Sequence, residues 1–185
     1  MNLRFFCFLA LIVIINPAKA EMNKSEELIL AITLNQKLEL IQRIVSEGAN
    51  VNAVVRNDSP LMASIAVGRK DILEYLLNKG ANPNKKVNSF MSPMSGAITF
   101  GNASFIELML SYGADPDIYS GGFTPLLLAA KSCDVELVEL FLINGANPKL
   151  KTKSGMTGAY LAKFNGLKKP EKDCKYVLAI FNEFS

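Results

Sequence analysis

One short phrase returns four times in this chain. It reads GANVN from Gly48, GANPN from Gly80, GADPD from Gly113 and GANPK from Gly145, at spacings of 32, 33 and 32 residues. A period in that range marks stacked structural repeats, in which each unit is too small to bury its own apolar face and its neighbours supply the missing contact. The regularity points to a row of similar units before composition is considered.

The residues between the glycines define the unit. Thr124 can cap a helix while Pro125 occupies its first turn, where a missing N–H costs nothing and the ring pre-sets φ; Ser59-Pro60 and Ser92-Pro93 repeat the device. After Pro125 come Leu126, Leu127, Leu128, Ala129 and Ala130, then a break at Ser132-Cys133. A second helical pattern follows, with apolar residues at Val135, Leu137, Val138, Phe141 and Leu142. Gly145 then supplies the left-handed conformation that ends a helix, and Pro148 prevents continuation. The unit is helix, tight turn, helix.

This unit resembles the ankyrin repeat, whose pattern is roughly G-x-T-P-L-H-x-A-A-x-x-G-H-x-E-I-V-x-L-L-L-x-x-G-A-D-V-N. Phe123–Lys149 follows it at most fixed positions, Ser59–Asn84 and Met91–Asp117 are further copies, Glu26–Asn52 ends in GANVN without the Thr-Pro start, and Gly155–Gly166 opens a fifth copy. The resemblance implies an all-α repeat solenoid of about five units, near 26–54, 55–87, 88–119, 120–152 and 153–185. Each unit would be a helix-turn-helix with a β-hairpin-like loop, in a curved stack. Glu26–Gly48 is expected to be the N-terminal cap, with Asn23 or Ser25 capping its first helix, and Lys175–Phe184 the C-terminal one, with Tyr176, Val177, Ile180 and Phe181 on one face. One departure is the absence of histidine. The bond from the Thr-Pro-Leu-His side chain is missing, and Met62, Ser95, Leu127 and Tyr160 take its place.

In ankyrin proteins the loops project as fingers and, with the first helices, line a concave surface that binds a protein partner. The resemblance carries that role onto Val54, Arg56 and Asn57 of the first finger, Lys86, Asn88 and Met91 of the second, Tyr119 and Phe123 of the third, and Lys151, Lys153 and Met156 of the fourth. Phe100, Lys131 and Phe164, with Ala66 and Thr99, would face the same surface from the first helices.

Residues 1–20 read differently. Arg4 precedes the uninterrupted apolar run from Phe5 to Ile15, Asn16-Pro17 breaks it, and Ala18-Lys19-Ala20 has the small-x-small form of a cleavage site. The run is shorter than the roughly 20 apolar residues that a spanning helix needs. The segment is therefore expected to be a signal peptide cleaved after Ala20, leaving 21–185 as one domain without stable membrane insertion, in the periplasm of a Gram-negative source or secreted. The whole chain carries 20 basic and 17 acidic side chains, a formal charge of +3. Losing Arg4 and Lys19 brings the balance closer to neutral, which is no nucleic-acid footprint. Cys133 and Cys174 would then reach an oxidising compartment as an even pair, either bonded, stapling the last repeat to its neighbour, or as two unpaired thiols.

The chain offers little for catalysis. Without histidine there is no imidazole to activate a nucleophile or ligate a metal, and the cysteines lack CxxC spacing. The close acidic pair Asp115/Asp117 matches Asn50/Asn52, Asn82/Asn84 and Asn147/Lys149 in the other phrases, which assigns it to a turn. Gly121-Gly122 lacks the lysine and strand of a phosphate loop. The expectation is a non-enzyme without cofactor or metal, monomeric when unbound. It would bind another protein, either a periplasmic enzyme that it supports or a secreted toxin, such as a lipase or other hydrolase, that it inhibits. An unrecognised enzyme is the rival class.

Overall fold

The computed structural model describes residues 22–168 and 174–184, so the expected signal peptide lies outside the described residues. The helices run α1 (Lys24–Thr33), α2 (Leu38–Ser46), α3 (Pro60–Ala66), α4 (Lys70–Asn78), α5 (Pro93–Thr99), α6 (Ala103–Ser111), α7 (Pro125–Ser132), α8 (Val135–Ile143), α9 (Gly158–Lys168) and α10 (Cys174–Asn182). They pair in chain order and stack in two rows. The first helices α1, α3, α5, α7 and α9 each touch the next, and the second helices α2, α4 and α6 do likewise, with α8 against α10. The result is an all-α repeat solenoid.

Local chemistry explains both ends of each helix pair. Asn23 caps α1 through the N–H groups of Ser25 and Glu26, while Glu26 reaches back to the Asn23 N–H in a capping box. Ser59, Ser92 and Thr124 accept from the third residue of α3, α5 and α7, each with proline in the first turn. The Gly-Ala phrase closes the second helices. Gly48, Gly80, Gly113 and Gly145 sit at φ 101, 83, 79 and 86°, and the alanines after them send their N–H groups back to Ile44, Leu76, Met109 and Phe141. These are Schellman caps, in which the left-handed residue favours glycine and the next side chain is buried; alanine fits that space.

The rest of the phrase couples neighbours. Asn50, Asn82, Asp115 and Asn147 each accept the N–H two residues on, closing a local turn. Asn52 accepts the Asn82 N–H at 2.7 Å and donates its amide to Gly80 O at 2.9 Å. Asn84 repeats this with Asp115 N–H and Gly113 O. Asp117 accepts the Asn147 N–H but has no amide to donate onward. The pair Asp115/Asp117 is thus occupied by this ladder.

The core lies between the rows and between successive pairs, with Leu28, Ile32, Ile41, Ile44, Ile72, Leu76, Ile106, Met109, Val138 and Phe141 sealed from solvent. Missing histidine is offset by apolar and hydroxyl contacts. Met62 and Leu127 are buried, and Ser95 bonds both the N–H and the carbonyl of Ser92. Tyr160, at the same position of the fifth unit, is 52% exposed and stacks on Phe164.

The last unit is fastened by tertiary contacts where local propensity is weak. Gly158 stands where units two to four have proline, and a Cβ there would lie 2.2 Å from the Phe181 ring, so the side chain of α10 fills that space. A disulfide joins Cys133 to Cys174, with Cα atoms 4.7 Å apart. Cys133 holds the left-handed slot, φ 57°, that Gly68 and Gly101 occupy in earlier units. Gly166 is the matching position of the fifth unit, but α9 runs through it; a Cβ there would come 3.1 Å from that of Cys174. The buried face of α10 is Cys174, Val177 and Phe181. Tyr176, expected on that face, is instead 53% exposed, because it is one residue off the i, i+3, i+7 stripe that meets α8 and α9.

Candidate partner-binding surface

Four fingers leave the stack on one side, at 53–59, 85–92, 118–124 and 150–157. The first and third are two-residue turns. Arg56 and Asn57 (φ 51 and 63°) separate the mutually bonded Val55 and Asp58, and Gly121 and Gly122 (φ 57 and 88°) separate Ser120 and Phe123. Left-handed conformation at both central residues matches the twist of a tight hairpin; glycine takes it freely, whereas Arg56 does so against its Cβ. The second and fourth turns are longer. Val87 N–H meets Met91 O, with Asn88 Oδ1 accepting from the Phe90 and Met91 N–H groups, and Thr152 N–H meets Met156 O across Gly155.

Fingers two to four are also bonded to one another. Gly121 N–H donates to Ser89 O at 3.2 Å and Lys153 N–H to Gly122 O at 3.0 Å. The Tyr119 hydroxyl donates to Lys151 O at 2.6 Å, and the buried Ser120 and Ser92 hydroxyls meet at 2.8 Å. The side of the first row bears on the same region. Asn165 of α9 donates its amide to the Lys131 carbonyl of α7, and the Tyr160 and Phe164 rings stack with centroids 6.1 Å apart.

These bonds sort the residues singled out in the sequence. Val54, Arg56, Asn57, Lys86, Met91, Phe100, Lys131, Lys151, Lys153 and Phe164 are exposed. Asn88, Tyr119, Phe123 and Met156 are half-buried. Asn88 and Tyr119 have hydrogen-bonding duties inside the finger array, and the Phe123 ring lies 4.8 Å beneath the Lys131 ammonium. Sequence reasoning passed over Phe90, which at 74% exposure is among the most prominent apolar side chains of the finger side, packed beside Gly121. Its only signal was an aromatic residue beside Asn88 and Ser89 at the tip of the finger. Tyr160, read as taking the place of the pattern's histidine, is exposed.

Charge is unevenly placed. Asp58 belongs to the first finger, where burial pushes its carboxyl above the usual aspartate range. From the second finger onward, neither the fingers nor α5, α7 and α9 contain any Asp or Glu, whereas Lys86, Lys131, Lys151 and Lys153 are exposed there. Acidic residues resume in the second row, at Glu107, Asp134, Glu136 and Glu139. Among the described residues no group of three or more His, Cys, Asp or Glu side chains is placed to hold a metal ion, and no helix is long and apolar enough to cross a membrane.

The stacked helix pairs, their Schellman-capped Gly-Ala phrases and the projecting fingers agree with comparison to known families. A model described as ankyrin repeats in three copies matches residues 5–87, and a single ankyrin repeat matches residues 121–153. The chain belongs to the ankyrin-repeat family. Residues between those matches form the same ankyrin helix pair, α5 and α6. The first match begins inside the segment read as a signal peptide. No curated protein is significantly similar to the chain. Ankyrin repeats are protein–protein interaction modules, and the chain is therefore built to bind another protein.

Proposed function

We propose that this chain is an exported, non-catalytic binding protein that engages a single partner through the concave surface formed by the fingers and the first-row helices. The observation that carries this reading is the finger array. Backbone bonds from Gly121 to Ser89 and from Lys153 to Gly122 hold three fingers in register, and a preset surface loses little conformational entropy on binding. Beside them Phe90, Phe100 and Phe164 are 74, 53 and 44% exposed, the kind of apolar anchors on which interfaces depend. The partner is a periplasmic enzyme that the chain supports or a secreted toxin that it inhibits.

The test is capture of the partner by the tagged full chain, followed by binding measured for Phe100→Glu. Phe100 is an exposed helix-end residue, so the variant is expected to keep its helicity and melting curve while losing at least tenfold in affinity, the usual scale for an interface anchor. Tyr119→Glu is a poorer probe, because it also removes the bond to Lys151 O. A folded Phe100→Glu chain that binds unchanged would show that the partner docks elsewhere. Assay of the captured enzyme or toxin with and without the chain then separates support from inhibition.

A further inference from the structure

The finger face has a chemical bias that protein binding in general does not require. Lys86, Lys151 and Lys153 project from fingers two and four, and Lys131 from α7, with no acidic side chain on the fingers or first-row helices of that region. Among the described residues the ion pairs, Lys24 with Glu27 and Glu47, Arg43 with Glu47, and Arg69 with Asp71, all lie in the first two repeats. None involves the finger-face lysines. The chain as a whole is only +3, so this bias reflects placement and not an excess of basic residues.

A recess lies within the same face. Lys86, Asn88, Ser89, Tyr119, Gly122 and Lys153 line an open recess of about 450 Å³ between the tips of fingers two, three and four. Its walls are held by the bonds that tie the fingers together: Gly121 N–H to Ser89 O, Lys153 N–H to Gly122 O, and the turn around Asn88. Two lysine side chains therefore line a polar recess, and Phe90, Phe100 and Phe164 are exposed apolar side chains of the fingers and first-row helices.

We infer that the finger face accepts an acidic protein surface, a carboxylate side chain of which enters the recess between Lys86 and Lys153 while adjacent apolar residues of the partner meet Phe90 and Phe100. This rests on the reading of the concave surface as the docking site and names the chemistry of what docks. Charge complementarity selects the partner: opposed fields speed encounter and exclude basic competitors. A phosphate polymer is the lesser match. Planar, forked arginine is the side chain suited to bidentate phosphate recognition, and these cations are all lysine, interspersed with apolar anchors suited to a protein interface core.

The experiment titrates isotope-labelled full chain with a random glutamate–tyrosine copolymer, with polyglutamate, and with a single-stranded thymidine oligonucleotide of matched charge, at about physiological salt. Amide shifts in residues 85–92, 118–124 and 150–157 are expected with the copolymer. Binding should tighten as salt falls and weaken roughly tenfold in Lys86→Glu/Lys153→Glu, the scale of two lost exposed charge pairs replaced by repulsion. Stronger binding of the oligonucleotide than of the copolymer, or shifts confined to α2, α4, α6 and α8, would overturn the inference. The partner captured above separates the two levels. Loss of that partner in Phe100→Glu, with full binding by Lys86→Glu/Lys153→Glu, would leave concave docking standing and remove the acidic preference. Full binding by both variants would remove both.

Discussion

Removing the disulfide should reveal two opposing contributions at Cys133. The bond closes a loop with a sequence separation of 41, for which the loop-entropy relation gives about 4 kcal/mol at 25 °C as a ceiling. Against this, Cys133 is held at φ 57° in a slot where two other units have glycine, a conformation that costs a residue with a Cβ roughly 1–2 kcal/mol. Cys133→Ala loses the bond and keeps the strain, and so does Cys174→Ala. Cys133→Gly loses the bond but relaxes the turn. In urea unfolding followed by circular dichroism, both alanine variants should fall by up to about 4 kcal/mol, and Cys133→Gly should retain about 1 kcal/mol of that. Because each repeat touches only its neighbours, the loss should concentrate at one end. Amide exchange should accelerate in α9 and α10 and little in α3 and α4. Wild type in reductant should match Cys174→Ala. Equal stability of Cys133→Gly and Cys133→Ala would refute the strain argument, and a wild-type midpoint indifferent to reductant would refute the staple.

Other perturbations follow from equally local geometry. Gly158→Ala would drive a methyl group into the Phe181 ring; overpacking of this kind costs about 1–3 kcal/mol, and thermal melts should show partial recovery when Phe181→Leu is added. Asn84→Ala removes the bonds to Gly113 O and Asp115 N–H, for a loss of about 1–2 kcal/mol, whereas Asp117→Asn restores an amide facing Gly145 O and should raise the urea midpoint. Acid sensitivity should show two opposite slopes. The hydrogen bond from Arg69 lowers the Asp71 carboxyl, so its stabilisation is present above the ordinary aspartate range and lost as pH falls through the folded value. Burial raises Asp58, so its ionisation opposes folding increasingly as pH rises from the unfolded to the folded value. Urea midpoints across the acid range should therefore change less steeply in Asp71→Asn and more steeply in Asp58→Asn.

The stack was legible because its signals are local and repeated. A left-handed cap demands glycine, the buried residue after it fits alanine, and Ser-Pro or Thr-Pro begins a helix wherever it falls. The binding face was less legible, since which finger side chains are free depends on bonds between fingers 32 or so residues apart. Tyr119 reads as an exposed aromatic until its hydroxyl is seen to close on Lys151 O. Phe123 reads the same way until Lys131 covers it. Tyr176 was misassigned for a related reason: helical periodicity gives spacing, but the angular position of the buried stripe is set by α8 and α9.

Three departures from the ankyrin pattern gather around α10. The fifth repeat starts without the proline of units two to four, so local caps and propensity leave it marginal. Here proline becomes Gly158, which admits the Phe181 ring, the glycine slot becomes Cys133, and Gly166 lets Cys174 approach. Each change exchanges a local preference for a contact with α10. Finger four leads directly into α9, and its Lys153 both bonds Gly122 and forms one wall of the finger recess. The geometry of that recess therefore depends on the last repeat staying docked, which makes the fastening at the end of the stack a condition for the proposed recognition at its centre.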